Sequence, residues 1–184
     1  MLAIRIMQSQ GIEVEALNFK TMFTCCQDLS AQAAHRLGVR LTVVSQEDDY
    51  LELIKNPRFG YGKGANPCVD CRIYMFERAQ KFMEQIGADF IVSGEVVGQR
   101  PMSQKRRDLD VISHQSGLED LLLRPLSAKL LLPTLPERKG LVDRERLYAF
   151  QGRSRKGLIR LAKAYGLDEV PTPSTGCALT EPLF

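Results

Sequence analysis

A chain of 184 residues can bury a sizeable core in one domain, and its 44% apolar and 26% charged content excludes a disordered or fibrous protein. No apolar run approaches the roughly 20 residues of a membrane span, the N-terminus shows no signal-peptide pattern, and five cysteines, an odd number, argue against a secreted disulfide framework, so a cytoplasmic location is expected. The net charge of +3 is uneven: residues 1–99 carry 10 basic against 12 acidic residues, a balance of −2, and residues 100–184 carry 15 against 10, a balance of +5, a local excess suited to a polyanion.

Leu2, Ala3, Ile6 and Met7 recur at helical spacing and predict a helix that stops at Gln10-Gly11. Alternation over 12–19 predicts a strand, followed by a helix over 28–37 ending at Gly38, a β-branched strand over 39–44 and a helix over 48–54. The glycine-rich stretch 56–67 is the clearest loop. A helix over 69–86 follows, with Phe76, Ala79, Met83 and Ile86 on one face and Gly87 as its stop. Then come a strand over 89–92, a helix over 103–114, a short strand over 121–123 and a last helix over 154–165 ending at Gly166. There is no internal repeat or linker, so residues 1–184 read as a single domain.

Strands alternating with helices imply an α/β fold: a Rossmann-like, mostly parallel sheet with helices on both faces, in which 12–19, 39–44 and 89–92 are expected as neighbouring central strands. Ligands of such sheets sit at the carboxyl ends of the strands, where Phe19-Lys20, Ser93-Gly94-Glu95 and Arg124 fall.

The residues that carry chemistry are cysteines. Cys68 and Cys71 form a Cys-x-x-Cys pair after Asn66-Pro67, and Cys177 follows in Ser174-Thr-Gly-Cys-Ala. Two thiolates one helical turn apart and a distant third can hold an iron–sulfur cluster, fill most of a zinc site or work as a sulfur relay. Cys68 falls at a helix start, where the dipole and free N–H groups favour a thiolate. A Gly176-Cys177 turn lets the backbone approach a bulky ligand. Structural zinc wants four ligands, and His35 and His114 have no ligand-like spacing, so both read as ordinary residues. Cys25 and Cys26 read as structural.

The turn from Ser93 to Gln104 holds Gly94 and Gly98, which permit close approach, and Gln99, Arg100 and Ser103, which offer donors to a phosphate; the alternative is a plain β–α loop. On the last helix Arg153, Lys156, Arg160 and Lys163 fall on one side and Leu158, Leu161, Ala162 and Tyr165 on the other. This face is either a solvated one or an RNA-backbone contact, with Lys105 to Arg107 as an extension.

Asn-Pro-Cys-x-x-Cys, a long helix and Gly-Ala-Asp-Phe-Ile-Val-Ser-Gly look like the tRNA 2-thiouridylases. Ser-Gly-Glu-Val-Val-Gly-Gln-Arg-Pro-Met-Ser-Gln and Leu-Leu-Arg-Pro-Leu look like the tRNA 4-thiouridine synthase domain. Together the segments resemble, over nearly the whole chain, the tRNA-thiolating branch of the PP-loop ATP pyrophosphatase superfamily (HUP, or adenine nucleotide alpha hydrolase-like). The resemblance implies an ATP-dependent tRNA sulfurtransferase that uses ATP with Mg2+ at Phe19, Lys20, Ser93, Gly94, Gln99 and Arg100. ATP adenylates a uridine carbonyl oxygen and a sulfur nucleophile then displaces the adenylate. Sulfur comes either from a [4Fe–4S] cluster on Cys68, Cys71 and Cys177, the version that cluster-bearing relatives favour, or from a cysteine persulfide resolved by a partner thiol. The implied partners are tRNA, bound at Arg153, Lys156, Arg160 and Lys163, and a sulfide or persulfide carrier protein; a homodimer is compatible with it, and no membrane is involved. A PP-loop nitrogen ligase of the deazapurine-synthase kind, or a non-catalytic nucleotide- or RNA-binding fragment, is the alternative.

The Ser-Gly-Gly-x-Asp-Ser phosphate loop that defines the superfamily is absent from these residues. The expectation is therefore a fragment, or a gene with a late start codon, that lacks its first strand and phosphate loop, leaves the sheet edge beside 12–19 partly uncovered and cannot activate tRNA with ATP alone.

Overall fold

Strands separated by a helix run in the same direction, because the helix carries the chain back to the starting edge. The computed structural model, which describes residues 1–23, 29–46, 48–170 and 177–181, follows that rule. The described elements are α1 (Leu2–Gln8), β1 (Ala16–Lys20), α2 (Ser30–Leu37), β2 (Leu41–Ser45), α3 (Asp49–Lys55), α4 (Cys68–Ile86), β3 (Ile91–Val92), α5 (Arg106–Gln115), β4 (Leu122–Leu123), α6 (Leu135–Arg138) and α7 (Lys156–Ala164). Short 3-10 turns lie at Ala128–Leu130, Arg144–Arg146 and Ala178–Thr180. The result is a mixed α/β fold in which both strand pairs are parallel.

The strands do not form one run of three central neighbours. β1 pairs with β2, Ala16 opposite Leu41 through Lys20 opposite Ser45, and β3 pairs with β4, Ile91 opposite Leu122 and Val92 opposite Leu123. The ladder groups of β3 go to the 121–123 segment: Ile91 N–H donates to Leu121 O and Ser93 N–H to Leu123 O, both at 2.9 Å. The first strand also begins later than the alternation suggests. Ile12 N–H bonds back to Met7 O, closing α1, and the ladder opens only where Ala16 N–H reaches Arg40 O.

The pleat of β3 and β4 divides the core. Val92 and Leu123 pack with Ile6 and Met7 of α1 and with Val96, Leu126, Val142 and Leu147. Ile91 and Leu122, one residue earlier and so on the opposite face, pack with Val69 and Phe76 of α4, Ile112 of α5 and Leu118. Helices therefore cover both faces of this pair. Ile6, Met7 and Leu123 are fully buried, each contributing about 1.5–3 kcal/mol through removal from water. A third cluster of Leu37, Ala162 and Leu167 joins α2 to α7.

Pro67, which has no N–H to leave unsatisfied, immediately precedes α4, and Gly87 ends it in the left-handed region at φ 67°. Its buried stripe includes Phe76, Ala79 and Met83 as the spacing predicts, but Ile86, the last residue of the helix, is 39% exposed. α5 begins at Arg106 and not at 103: Ser103 and Gln104 are buried in the turn before it, and Gln104 O accepts from Gly98 N–H. α7 begins at Lys156, which leaves Arg153 in the segment before the helix. Sequence reading overlooked α6, although its capping box was visible as Thr134-Leu-Pro-Glu137: the Thr134 and Glu137 side chains satisfy each other's backbone N–H groups. No described helix is long and apolar enough to cross a membrane.

Candidate functional site

Cys68 is the first residue of α4, Cys71 lies one turn on, and Cys177 leads into the Ala178–Thr180 turn. All three are free and half-buried. Asn66 Nδ2 donates to Cys68 Sγ at 3.1 Å, and Tyr50 Oη is hydrogen-bonded to Cys71 Sγ at 3.2 Å. The Cys177 segment is fastened from two sides. Ala178 N–H donates to Phe23 O at 3.0 Å, just beyond β1, and the loop before α4 presses on it so closely that a Cβ at Gly64 would stand 2.6 Å from Leu179 O.

Electrostatics ties the thiols together. Burial pushes the Cys71 thiol up; Tyr50 and Arg72 pull it down, and charge on Cys68 or Cys177 raises it again. Burial likewise raises Cys177, opposed by backbone N–H groups and reinforced by charge on Cys68. Tyr50 is raised by burial first and then by the charges of Cys71 and Cys177. Among the described residues, however, no three His, Cys, Asp or Glu side chains close around a single metal ion. His114 is engaged with Glu119, and His35 is exposed on α2. Cys25, Cys26 and Gly176 lie outside the described residues.

Sequence reasoning missed Asp70, Tyr50 and Tyr74 among the groups that hold this site, and it placed Glu95 and Arg124 at strand ends without their pairing. Asp70, between the two α4 cysteines, is 7% exposed, and its carboxylate accepts from the backbone N–H groups of Arg58 at 2.9 Å and Phe59 at 3.1 Å. Tyr50 packs on Tyr74 with ring centroids 5.2 Å apart, and the Tyr74 hydroxyl donates to Asp49 at 2.9 Å. Beside Cys71, Arg72 Nε lies 3.6 Å from Glu95 Oε1. Glu95 is 3% exposed and accepts from Arg124 Nε at 2.9 Å; Arg124, 5% exposed, also donates to Ser113 Oγ at 2.9 Å. The loops after β3 and β4 are therefore joined by a buried ion pair that reaches the cysteine helix. The available signal was charge in apolar context: Arg124 interrupts the run from Leu121 to Leu126.

The residues expected to take a nucleotide occupy two places. Phe19 is half-buried and Lys20 exposed at the end of β1. Ser93 is buried after β3, its Oγ accepting from Glu95 N–H at 3.2 Å; Gln99 is half-buried and Arg100 exposed further along that turn. Strand pairing does not bring the two groups together, since β1 and β3 belong to different pairs. A Cβ at Gly94 would meet nothing within 4 Å, so its backbone stays open to an approaching group. A cavity of about 430 Å³ beside α5, bordered by Arg106, Asp110, Ser113, Arg124 and Glu137, contains none of these residues.

Lys156, Arg160 and Lys163 are exposed at i, i+4 and i+7 on α7, with Arg153 exposed in the segment before it. The opposite face buries Ala162 and packs Leu158 and Tyr165 on the core. Among the described residues none of the four basic groups forms a salt bridge. Lys105 and Arg107 are exposed, while Arg106 donates to Leu130 O.

The model of the family described as Thiamine biosynthesis protein (ThiI) matches residues 3–129. That span runs from α1 past β4 and takes in Cys68 and Cys71, Phe19 and Lys20, the turn from Ser93 to Gln104, and Arg124. Cys177 and α7 lie beyond it. No curated protein matches the chain.

Proposed function

The chain belongs to the thiamine biosynthesis protein (ThiI) family, and on that premise we propose that it is an ATP-dependent tRNA sulfurtransferase. The observation that carries the reading is the cysteine set: two thiols at the start of α4 and a third, distant in sequence, whose segment is fastened to Phe23 beyond β1 and pressed against Gly64 in the loop before α4. In the proposed reaction ATP, as its Mg2+ complex, adenylates a uridine carbonyl oxygen and releases pyrophosphate. Sulfur then attacks the same carbon and AMP leaves with the oxygen. Phe19, Lys20, Ser93, Gly94, Gln99 and Arg100 are the proposed nucleotide contacts, and Arg153, Lys156, Arg160 and Lys163 the proposed tRNA contacts. Sulfide or a persulfide carrier protein is the proposed sulfur source.

Three soft thiols with no histidine beside them suit iron–sulfur ligation better than a four-ligand zinc site. Cys68, Cys71 and Cys177 would hold a [4Fe–4S] cluster, which when bound supplies an iron position open to sulfide. A persulfide relay is the second reading, favoured by the absence of any three-ligand arrangement around a single ion among the described residues. Its balance is complete: the terminal sulfur of a cysteine persulfide bonds to the activated carbon as AMP departs. A second cysteine thiolate then attacks the sulfur still bound to the protein, releasing thiouridine and leaving a disulfide that an external dithiol reduces. Anaerobic purification with iron and sulfide analysis, and Cys177→Ala as control, tests the assignment. Iron and sulfide that fall together in the variant support the cluster; a metal-free protein that forms a Cys71–Cys177 or Cys68–Cys177 disulfide supports the relay. Stoichiometric zinc in a colourless protein refutes the cluster.

A further inference from the structure

The loop over 56–67 carries two exposed rings, Phe59 at 36% and Tyr61 at 47%. The surface these rings leave in water adds nothing to folding, and it is not exposed because the loop is slack. Asp70 grips the backbone of Arg58 and Phe59 at 2.9 and 3.1 Å. The Tyr61 hydroxyl donates to Ile54 O at 2.7 Å and Lys55 O at 2.9 Å, at the end of α3. The Arg58 guanidinium lies 5.4 Å from the Phe59 ring centre and donates to Gln115 at 2.7 Å. Behind them the backbone is pressed inward, since a Cβ at Gly62 would stand 2.4 Å from Asn66 Nδ2. Hydrogen bonds hold the rings outward in a fixed frame.

The stretch contains Arg58 and Lys63 and no acidic residue. Two rings with Arg58 over one of them and Lys63 two residues beyond the other match a ligand with a planar ring and a run of phosphates. A nucleobase in RNA has both, and its face is free only where the base is unpaired. We infer that Phe59 and Tyr61 are a stacking platform for an unpaired base of the RNA substrate, with Arg58 and Lys63 on the flanking phosphates. This rests on the tRNA reading above and adds the part of the RNA that is held there. Because Asp70 lies between Cys68 and Cys71 in α4, the platform and the thiols share one rigid mount, and the stacked base is held at a fixed distance from the sulfur chemistry.

The chain has no tryptophan, so Phe59→Trp and Tyr61→Trp each introduce a single fluorescent reporter. Titration of these 184-residue variants with a short oligouridylate is expected to give saturable tryptophan quenching. Phe59→Ala and Tyr61→Ala are each expected to bind about ten-fold more weakly. Oligouridylate binding without quenching, wild-type affinity in both alanine variants, or quenching by ATP with none by oligouridylate would overturn the platform. Normal tRNA binding in the alanine variants would remove the platform and leave the tRNA reading standing. Failure of the wild-type chain to bind either tRNA or oligouridylate would remove both.

Discussion

Replacing Arg124 with Met removes one partner of the buried Glu95–Arg124 pair while keeping most of the side-chain volume. Arg124 and Glu95 are 5% and 3% exposed, and the guanidinium holds Glu95 at 2.9 Å, Ser113 at 2.9 Å and Leu109 O at 3.4 Å. Without it Glu95 keeps only Arg72 Nε at 3.6 Å. Removing one member of a buried ion pair typically costs about 3–5 kcal/mol, mostly from the charge left unpaired. At an unfolding entropy of about 2.1 cal/mol/K per residue, the chain changes by roughly 0.39 kcal/mol per degree, so Tm should fall by about 8–13 °C. Urea unfolding gives the free energy directly. Adding Glu95→Leu removes the orphaned carboxylate and should return at least about half of the loss. A single-variant loss below about 1 kcal/mol would refute the claim that this pair fastens the β3 and β4 loops.

Gly64→Ala places a Cβ 2.6 Å from Leu179 O, a backbone atom that cannot swing aside. It should displace the Cys177 segment and slow Cys71–Cys177 disulfide formation under mild oxidation, with Cys68 alkylation unchanged. Tyr148 is pushed up to about 12 by burial and its bond to Tyr165, and Tyr50 is raised by burial and the neighbouring thiols. Their protonated forms are favoured by the fold, so this contribution is full below the unfolded value of about 10 and is lost as pH rises through the folded values. Urea midpoints should fall above that pH, and phenolate absorbance should show these two tyrosines ionising late. Lys156→Glu with Arg160→Glu should weaken tRNA binding at low salt and flatten its salt dependence by about two units of slope; unchanged binding would make α7 an ordinary solvated face.

The long helix over Cys68–Ile86 was legible because it has a proline before it, a regular apolar stripe and a glycine after it, all local signals. Strand identities were legible for the same reason. Strand partnership was not, since β3 is two residues long and its partner lies about thirty residues on, across a helix. The exposure of Ile86 depends on where the core ends, which no periodicity reports. Cysteine chemistry showed in the Cys-x-x-Cys spacing. Tyr50 and Asp70 did not show, nor did the partners of Asn66 and Glu95, because each role comes through a contact made only after folding, as when Tyr50 meets Cys71 or Glu95 meets Arg124.

The most direct measurement is nucleoside analysis of total tRNA from cells in which the gene has been deleted. A thiolated uridine should disappear, return with the wild-type gene and fail to return with Cys177→Ala. An unchanged thiouridine content after deletion, or full restoration by the Cys177→Ala gene, would contradict sulfur transfer to tRNA by these three cysteines.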